Sequence, residues 1–151
     1  MPPAPHLLRP RRLASLRRRA IATARITWAA PCTALGLVLC APALLCGARL
    51  RRVDGTLEVA LSRCDPPRGL LARLPFAAIT FGHLVAAVRP ADLARLRRHE
   101  RAHVEQYERW GPVFLLAYPA ASLWQWLRGR RPYVDNGFEV QARAAAGEAP
   151  R

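Results

Sequence analysis

The chain has 151 residues, 52% of them hydrophobic, and its 24 arginines (lysine is absent) outnumber 10 acidic side chains to give a formal net charge of +14. That length allows one small domain plus an appendage. The charge invites a nucleic-acid reading, but its placement argues against such a partner: residues 1–52 hold ten arginines and no acid, while residues 53–151 carry only +4 and no recognised binding motif.

Residues 1–25 form a basic, proline- and arginine-rich tail, expected to be disordered in water, although residues 13–26 could lie as a basic amphipathic helix on anionic lipid. Residues 26–48 follow as 23 residues without a charge. As a helix they would reach roughly 34 Å, enough for a hydrocarbon core of about 30 Å, and predict one transmembrane helix with the bilayer as partner. A cleaved secretory signal would have a shorter apolar core. Trp28 suits an interfacial anchor. Seven arginines precede the run and four follow it (Arg49, Arg51, Arg52, Arg63), a bias that predicts a cytoplasmic N-terminus and an extracytoplasmic domain. Cys32, Cys40 and Cys46 lie in the apolar run and Cys64 stands apart, so no disulfide framework is expected.

Residues 53–146 read as an α+β domain, with 147–151 as a tail. Asp54-Gly55 signals a turn, after which polar Thr56 and Glu58 alternate with Leu57, Val59 and Leu61 as in a short strand. Residues 64–69 break the chain. A short helix over 70–74 and a strand over 77–85 are expected next, since Arg73 and His83 interrupt any second membrane span. Residues 90–109 predict a helix, with proline at its start, Asp92 in its first turn and Gly111-Pro112 as its stop. Residues 113–127 predict a nearly all-apolar helix, too short to cross a bilayer upright, that packs on the first or dips into the interface. Residues 133–146 predict a last short helix capped by Asp135 or Asn136.

The helix over 90–109 contains His99-Glu100-Arg101-Ala102-His103, an H-E-x-x-H motif. Histidines at i and i+4 project from one face, so both imidazoles can reach one zinc ion at roughly 2.0–2.1 Å. Glu100, beside the first ligand, is the candidate general base for a zinc-activated water. Random placement of this composition would yield roughly 0.004 such motifs. Catalytic zinc usually takes a third protein ligand. His6 lies in the basic tail, which leaves His83, Asp135 and Glu139. Glu139 is the best placed, because an intervening antiparallel helix would return the chain to the metal. Asp135 could instead orient an imidazole through its second nitrogen. His83, Tyr107, Tyr118 and Tyr133 are candidate donors to an oxyanion, and Gln106, one turn beyond His103, is placed to hydrogen-bond near the site.

The string from His99 to Pro112, with Asp135-Asn136-Gly137-Phe138-Glu139-Val140-Gln141-Ala142, resembles small bacterial membrane-associated proteins carrying gluzincin-type metallopeptidase motifs. The similarity runs from about Trp28 to Ala146, with Gly137 where proline is usual. It implies an N-terminal transmembrane helix followed by a minimal zincin-like domain: short antiparallel strands, the H-E-x-x-H helix, an apolar second helix and a C-terminal helix bearing the third ligand. It further implies His99, His103 and Glu139 as zinc ligands, Glu100 as base, and a sheet edge near Gly82-His83 where a peptide could add as a strand. The expected function is a membrane-tethered zinc metallopeptidase acting on a peptide or protein. The alternative is a non-catalytic, metal-stabilised membrane interaction module.

Overall fold

The computed structural model describes residues 10–62 and 67–149, with side chains from residue 12 onward. His6, and residues 64–66 of the chain break at 64–69 with Cys64 among them, fall outside the described residues. Helix α1 (Pro10–Leu45) absorbs most of the expected basic tail: the helix runs unbroken from the arginine-rich segment into the apolar one, through Pro31 and Pro42. By length and composition it could cross a membrane.

Four short strands form one sheet in the order β1-β2-β4-β3. Strands β1 (Leu50–Val53) and β2 (Thr56–Ala60) make the hairpin signalled by Asp54-Gly55, both with positive φ, 48° and 83°, as a tight two-residue turn requires. The single strand expected over 77–85 is instead a second hairpin, β3 (Ala78–Phe81) and β4 (Leu84–Ala87). The break is at Gly82, whose φ is 58°. A Cβ there would stand 2.7 Å from the Ala29 carbonyl oxygen and 2.7 Å from the Thr33 nitrogen, so helix α1 approaches as closely as only glycine permits.

The expectation of purely antiparallel strands is corrected by β2 and β4, which pair in parallel from Leu57↔Leu84 to Ala60↔Ala87. The chain leaving β2 travels past the place of β4 to the far edge of the sheet, and the β3–β4 hairpin then returns it beside β2. With neighbours on both sides, β4 is buried along its whole length.

Helices α1 and α2 (Pro90–Trp110) cover opposite faces of this sheet. Cys40, Leu37 and Leu44 of α1 pack with Val59, Leu84 and Ala86. On the other face Glu58, buried, receives the Arg97 guanidinium at 2.8 and 3.0 Å. The polar residues of β2 therefore face α2 rather than water. A second core cluster joins Ala29 and Cys32 of α1 to Tyr107 and Phe114, with Phe138 against it. The domain thus packs along the apolar stretch of α1 instead of hanging beyond its end. A single 3-10 turn at Gly111–Val113 leads into α3 (Phe114–Leu127) and, after a loop, α4 (Gly137–Ala146).

Candidate metal centre

Helix α2 turns His99 and His103 inward, both buried, with ring centroids 5.0 Å apart and their Nε2 atoms 3.2 Å apart. The tautomer of His103 follows from its surroundings. Gln106 Nε2 donates to the Phe138 carbonyl at 3.0 Å, an oxygen that can only accept, so Gln106 Oε1 faces His103 Nδ1 at 2.8 Å. Nδ1 must therefore carry a proton, and Nε2 of the neutral ring presents its lone pair to the centre. His99 is oriented in the same sense by Glu148, whose Oε1 lies 3.2 Å from His99 Nδ1.

Glu139 completes the group from the first turn of α4. Asn136 holds that turn: its Oδ1 accepts from Phe138 N at 2.9 Å, and its Nδ2 donates to Tyr118 O and Ser122 Oγ at 3.1 and 2.7 Å. Asn136, not Asp135, is therefore the cap, and it fastens α4 to α3. Glu139 Oε2 stands 3.3 Å from His99 Nε2, and Oε1 stands 3.3 Å from His103 Nε2. The Tyr118 hydroxyl donates to Oε1 at 2.6 Å, while Oε2 is buried without a hydrogen-bond partner.

These spacings have a simple reading. A tetrahedral ion with bonds of roughly 2.0–2.1 Å has ligand–ligand edges of roughly 3.3 Å. The two imidazole nitrogens match that edge, each lies at the same spacing from a different oxygen of Glu139, and Oε2 is the carboxylate oxygen left without a hydrogen bond. His99, His103 and Glu139 could hold a metal ion. Burial alone would raise the Glu139 pKa, but contacts with His103, His99 and the Tyr118 hydroxyl more than offset it and hold the carboxyl well below the usual range. Contact with Glu139 raises the His99 pKa against the opposing effect of burial.

The group opens on a cleft of roughly 600 Å³ walled by β3, α2, α3 and the C-terminal segment. Glu100 lines it and is buried, accepting a hydrogen bond from Thr80 Oγ1 at 2.7 Å. Tyr133 also lines it. The edge strand β3 borders the cleft through Ala78, Ile79, Thr80 and Phe81, whereas Gly82 and His83, near which a sheet edge was implied, do not line it.

Two sequence candidates lie elsewhere. His83 pairs with Glu108 at 3.2 Å on the α1 side of the hairpin, and Asp135 accepts from the Arg131 backbone at 2.9 Å. Neither joins the metal-ligating group. Among the proposed oxyanion donors Tyr118 is committed to Glu139, and Tyr107 is buried against Phe114 with ring centroids 4.5 Å apart.

Three contributors escaped sequence reading. Thr80 looks like any strand threonine. Arg143 lies one turn beyond Glu139, its Nη1 3.8 Å from Oε2, and its Nη2 donates to the Val134 carbonyl. Glu148 falls in the expected tail, yet Gly147 takes a left-handed φ of 72° and turns the chain back over the site. A glycine ending a helix, followed by an acid, was the available signal. No family model, curated protein or solved structure matches the chain.

Proposed function

We propose that the chain is a membrane-associated zinc metallopeptidase in which Glu100 is the general base. The observation that carries this reading is the buried cluster of His99, His103 and Glu139, with the two Nε2 atoms 3.2 Å apart and each 3.3 Å from one Glu139 oxygen, set beside a buried glutamate on an open cleft. Two neutral imidazoles and a carboxylate form a donor set suited to zinc. When bound, zinc supplies Lewis acidity to a water and to the scissile carbonyl.

The protein residues divide the remaining work. Glu100 takes the proton from the attacking water and returns it to the departing amine nitrogen. Thr80 holds that carboxylate by one hydrogen bond. Tyr133, in the cleft wall, turns its hydroxyl from the neighbouring Glu139 carboxylate to the oxygen that gains charge; desolvation and that carboxylate raise its pKa. Strand β3 offers its free edge for an extended peptide. Helix α1 provides the membrane attachment, and the arginine bias supports a cytoplasmic N-terminus.

Zinc content and peptide cleavage should be measured together on the full chain and on Glu100→Gln. The variant is expected to keep about one zinc per chain and to lose cleavage by at least about 100-fold. Full activity in Glu100→Gln would show the mechanism to be wrong. Zinc bound by a wild-type chain that cleaves nothing in a broad peptide library would favour a metal-stabilised interaction module.

A further inference from the structure

Helix α3 buries Phe114 and Leu115 against the core, yet it also turns its few polar side chains inward and leaves a second apolar side exposed, where a surface helix of a soluble domain turns polar residues to water. At 100° per residue, Tyr118, Ser122 and Gln125 share one side. That side faces inward: Tyr118 bonds Glu139, Ser122 accepts from Asn136, and Gln125 Oε1 is buried. The opposite side is Val113, Leu116, Ala120, Leu123, Trp124 and Leu127. Its five large members are 49–74% exposed, Ala120 is exposed as well, and no polar residue interrupts the stripe.

We infer that this outer stripe of α3 lies in the boundary of an anionic lipid bilayer, so that the cleft opens at the membrane surface and takes polypeptide segments held there. The substrate half rests on the peptidase reading above; the lipid half does not. Three observations select lipid as the occupant. First, α3 has 14 residues, roughly 21 Å, too short to cross a core of about 30 Å but suited to lying along it. Second, the stripe ends in Arg128, Arg130 and Arg131, all exposed. The Arg128 guanidinium sits 5.1 Å from the Trp124 ring centroid, an aromatic–cation pairing fitted to anionic headgroups. Third, α1 also presents an apolar outer face, with Trp28, Leu35, Val38, Leu39 and Leu45 exposed, on a helix long enough to enter the same bilayer.

The consequence for substrate follows from the thickness of one helix. Leu115, Tyr118 and Pro119 of α3 line the cleft, while Leu116, Ala120 and Leu123 form the outer stripe. Cleft wall and lipid-facing surface are opposite sides of a cylinder about 10 Å across. A peptide anchored in the same leaflet therefore reaches the cleft at a high effective concentration.

The test uses the full zinc-loaded chain in phosphatidylcholine–phosphatidylglycerol vesicles, with Trp28→Phe and Trp110→Phe so that only the α3 tryptophans emit. Bromine on the upper acyl chains should quench them at least about threefold, with iodide in the water far less effective. Leu116→Asp/Leu123→Asp, at two exposed positions, should reverse that order. Trp126→Phe on the Trp28→Phe/Trp110→Phe background, which leaves Trp124 of the stripe as the sole emitter, should keep the bromine quenching without any charge being added. Tryptophans open to iodide and indifferent to bromine would overturn the proposal. So would a double aspartate variant that converts a dimer to a monomer with quenching unchanged, since a second copy would then be the occupant. In a parallel assay, cleavage of a lipid-anchored peptide should exceed that of the same peptide in solution by about tenfold, an advantage lost in the aspartate variant. Equal rates on both peptides would refute the substrate class. If neither peptide is cleaved, the peptidase reading fails, and the quenching result still decides the lipid contact.

Discussion

Replacing Gln106 with leucine isolates what holds His103 in its metal-binding tautomer. The side chain is buried, and its amide oxygen accepts from His103 Nδ1 at 2.8 Å while its nitrogen donates to the Phe138 carbonyl at 3.0 Å and to Gln141 Oε1 at 3.3 Å. Leucine is close in size but removes the acceptor. The Nδ1 proton is then left buried without a partner, a cost of about 1–3 kcal/mol. The ring can escape that cost by moving the proton to Nε2, the atom that faces His99 and Glu139, and metal binding must then reverse the move. At about 1.4 kcal/mol per factor of ten, zinc affinity should fall by about 10- to 100-fold, the range usual for partners of metal-bound histidines. Competition with a chromophoric chelator at pH 7, with circular dichroism to confirm the fold, measures it directly. Gln106→Glu, which keeps an acceptor for Nδ1, should recover most of the loss. Wild-type affinity in Gln106→Leu would refute the assignment of the tautomer.

Thr80→Val deletes the hydrogen bond to Glu100 while preserving side-chain shape; kcat for peptide cleavage should fall about tenfold with zinc content unchanged, and an unaltered kcat would remove Thr80 from the site. Gly82→Ala puts a Cβ against the backbone of α1 at a φ of 58°. It should destabilise the fold by about 2–4 kcal/mol, read from the denaturation midpoint in detergent, and an unchanged midpoint would mean that α1 does not pack on the hairpin. Asp92, buried at the start of α2, has its pKa lowered to about 2, by its hydrogen bond to Arg89 against the effect of burial, with Arg95 assisting. A depressed carboxyl contributes stability above its unfolded pKa and loses it as pH falls through the folded one, so this contribution should vanish between about pH 4 and 2. Because both arginines are substantially exposed, it should be about 1 kcal/mol, and Asp92→Asn should flatten the acid limb of the stability curve by that amount.

Much of the site was legible in the chain because its geometry is local. Histidines four residues apart on a helix face one way whatever surrounds them, and an apolar run of 23 residues keeps its helical length in any context. Glu139 could also be placed, since a returning helix brings it back, although distance alone did not remove His83 or Asp135. What failed to show were contacts between side chains far apart in sequence. Thr80 and Glu100 meet only because β3 lies at the sheet edge under α2, and Glu148 reaches His99 only through a reversal at Gly147. The hairpin at Gly82-His83 was hidden because the residues around it favour strands equally on either side of the turn.

The sequence by itself determined the motif helix, the apolar N-terminal helix, the turn at Asp54-Gly55, and the donor types of the candidate metal group, all of which depend on neighbours within about one helical turn or one strand. Tertiary structure alone decided that β2 and β4 run parallel, that one of three candidate acids or histidines completes the group, and that α3 turns Tyr118, Ser122 and Gln125 inward and leaves an apolar side outward. The last of these has a plain physical reason. A nearly all-apolar helix carries little information about which side it buries, and the choice falls to the few groups, Tyr118, Ser122 and Gln125, that must find partners away from an apolar surrounding.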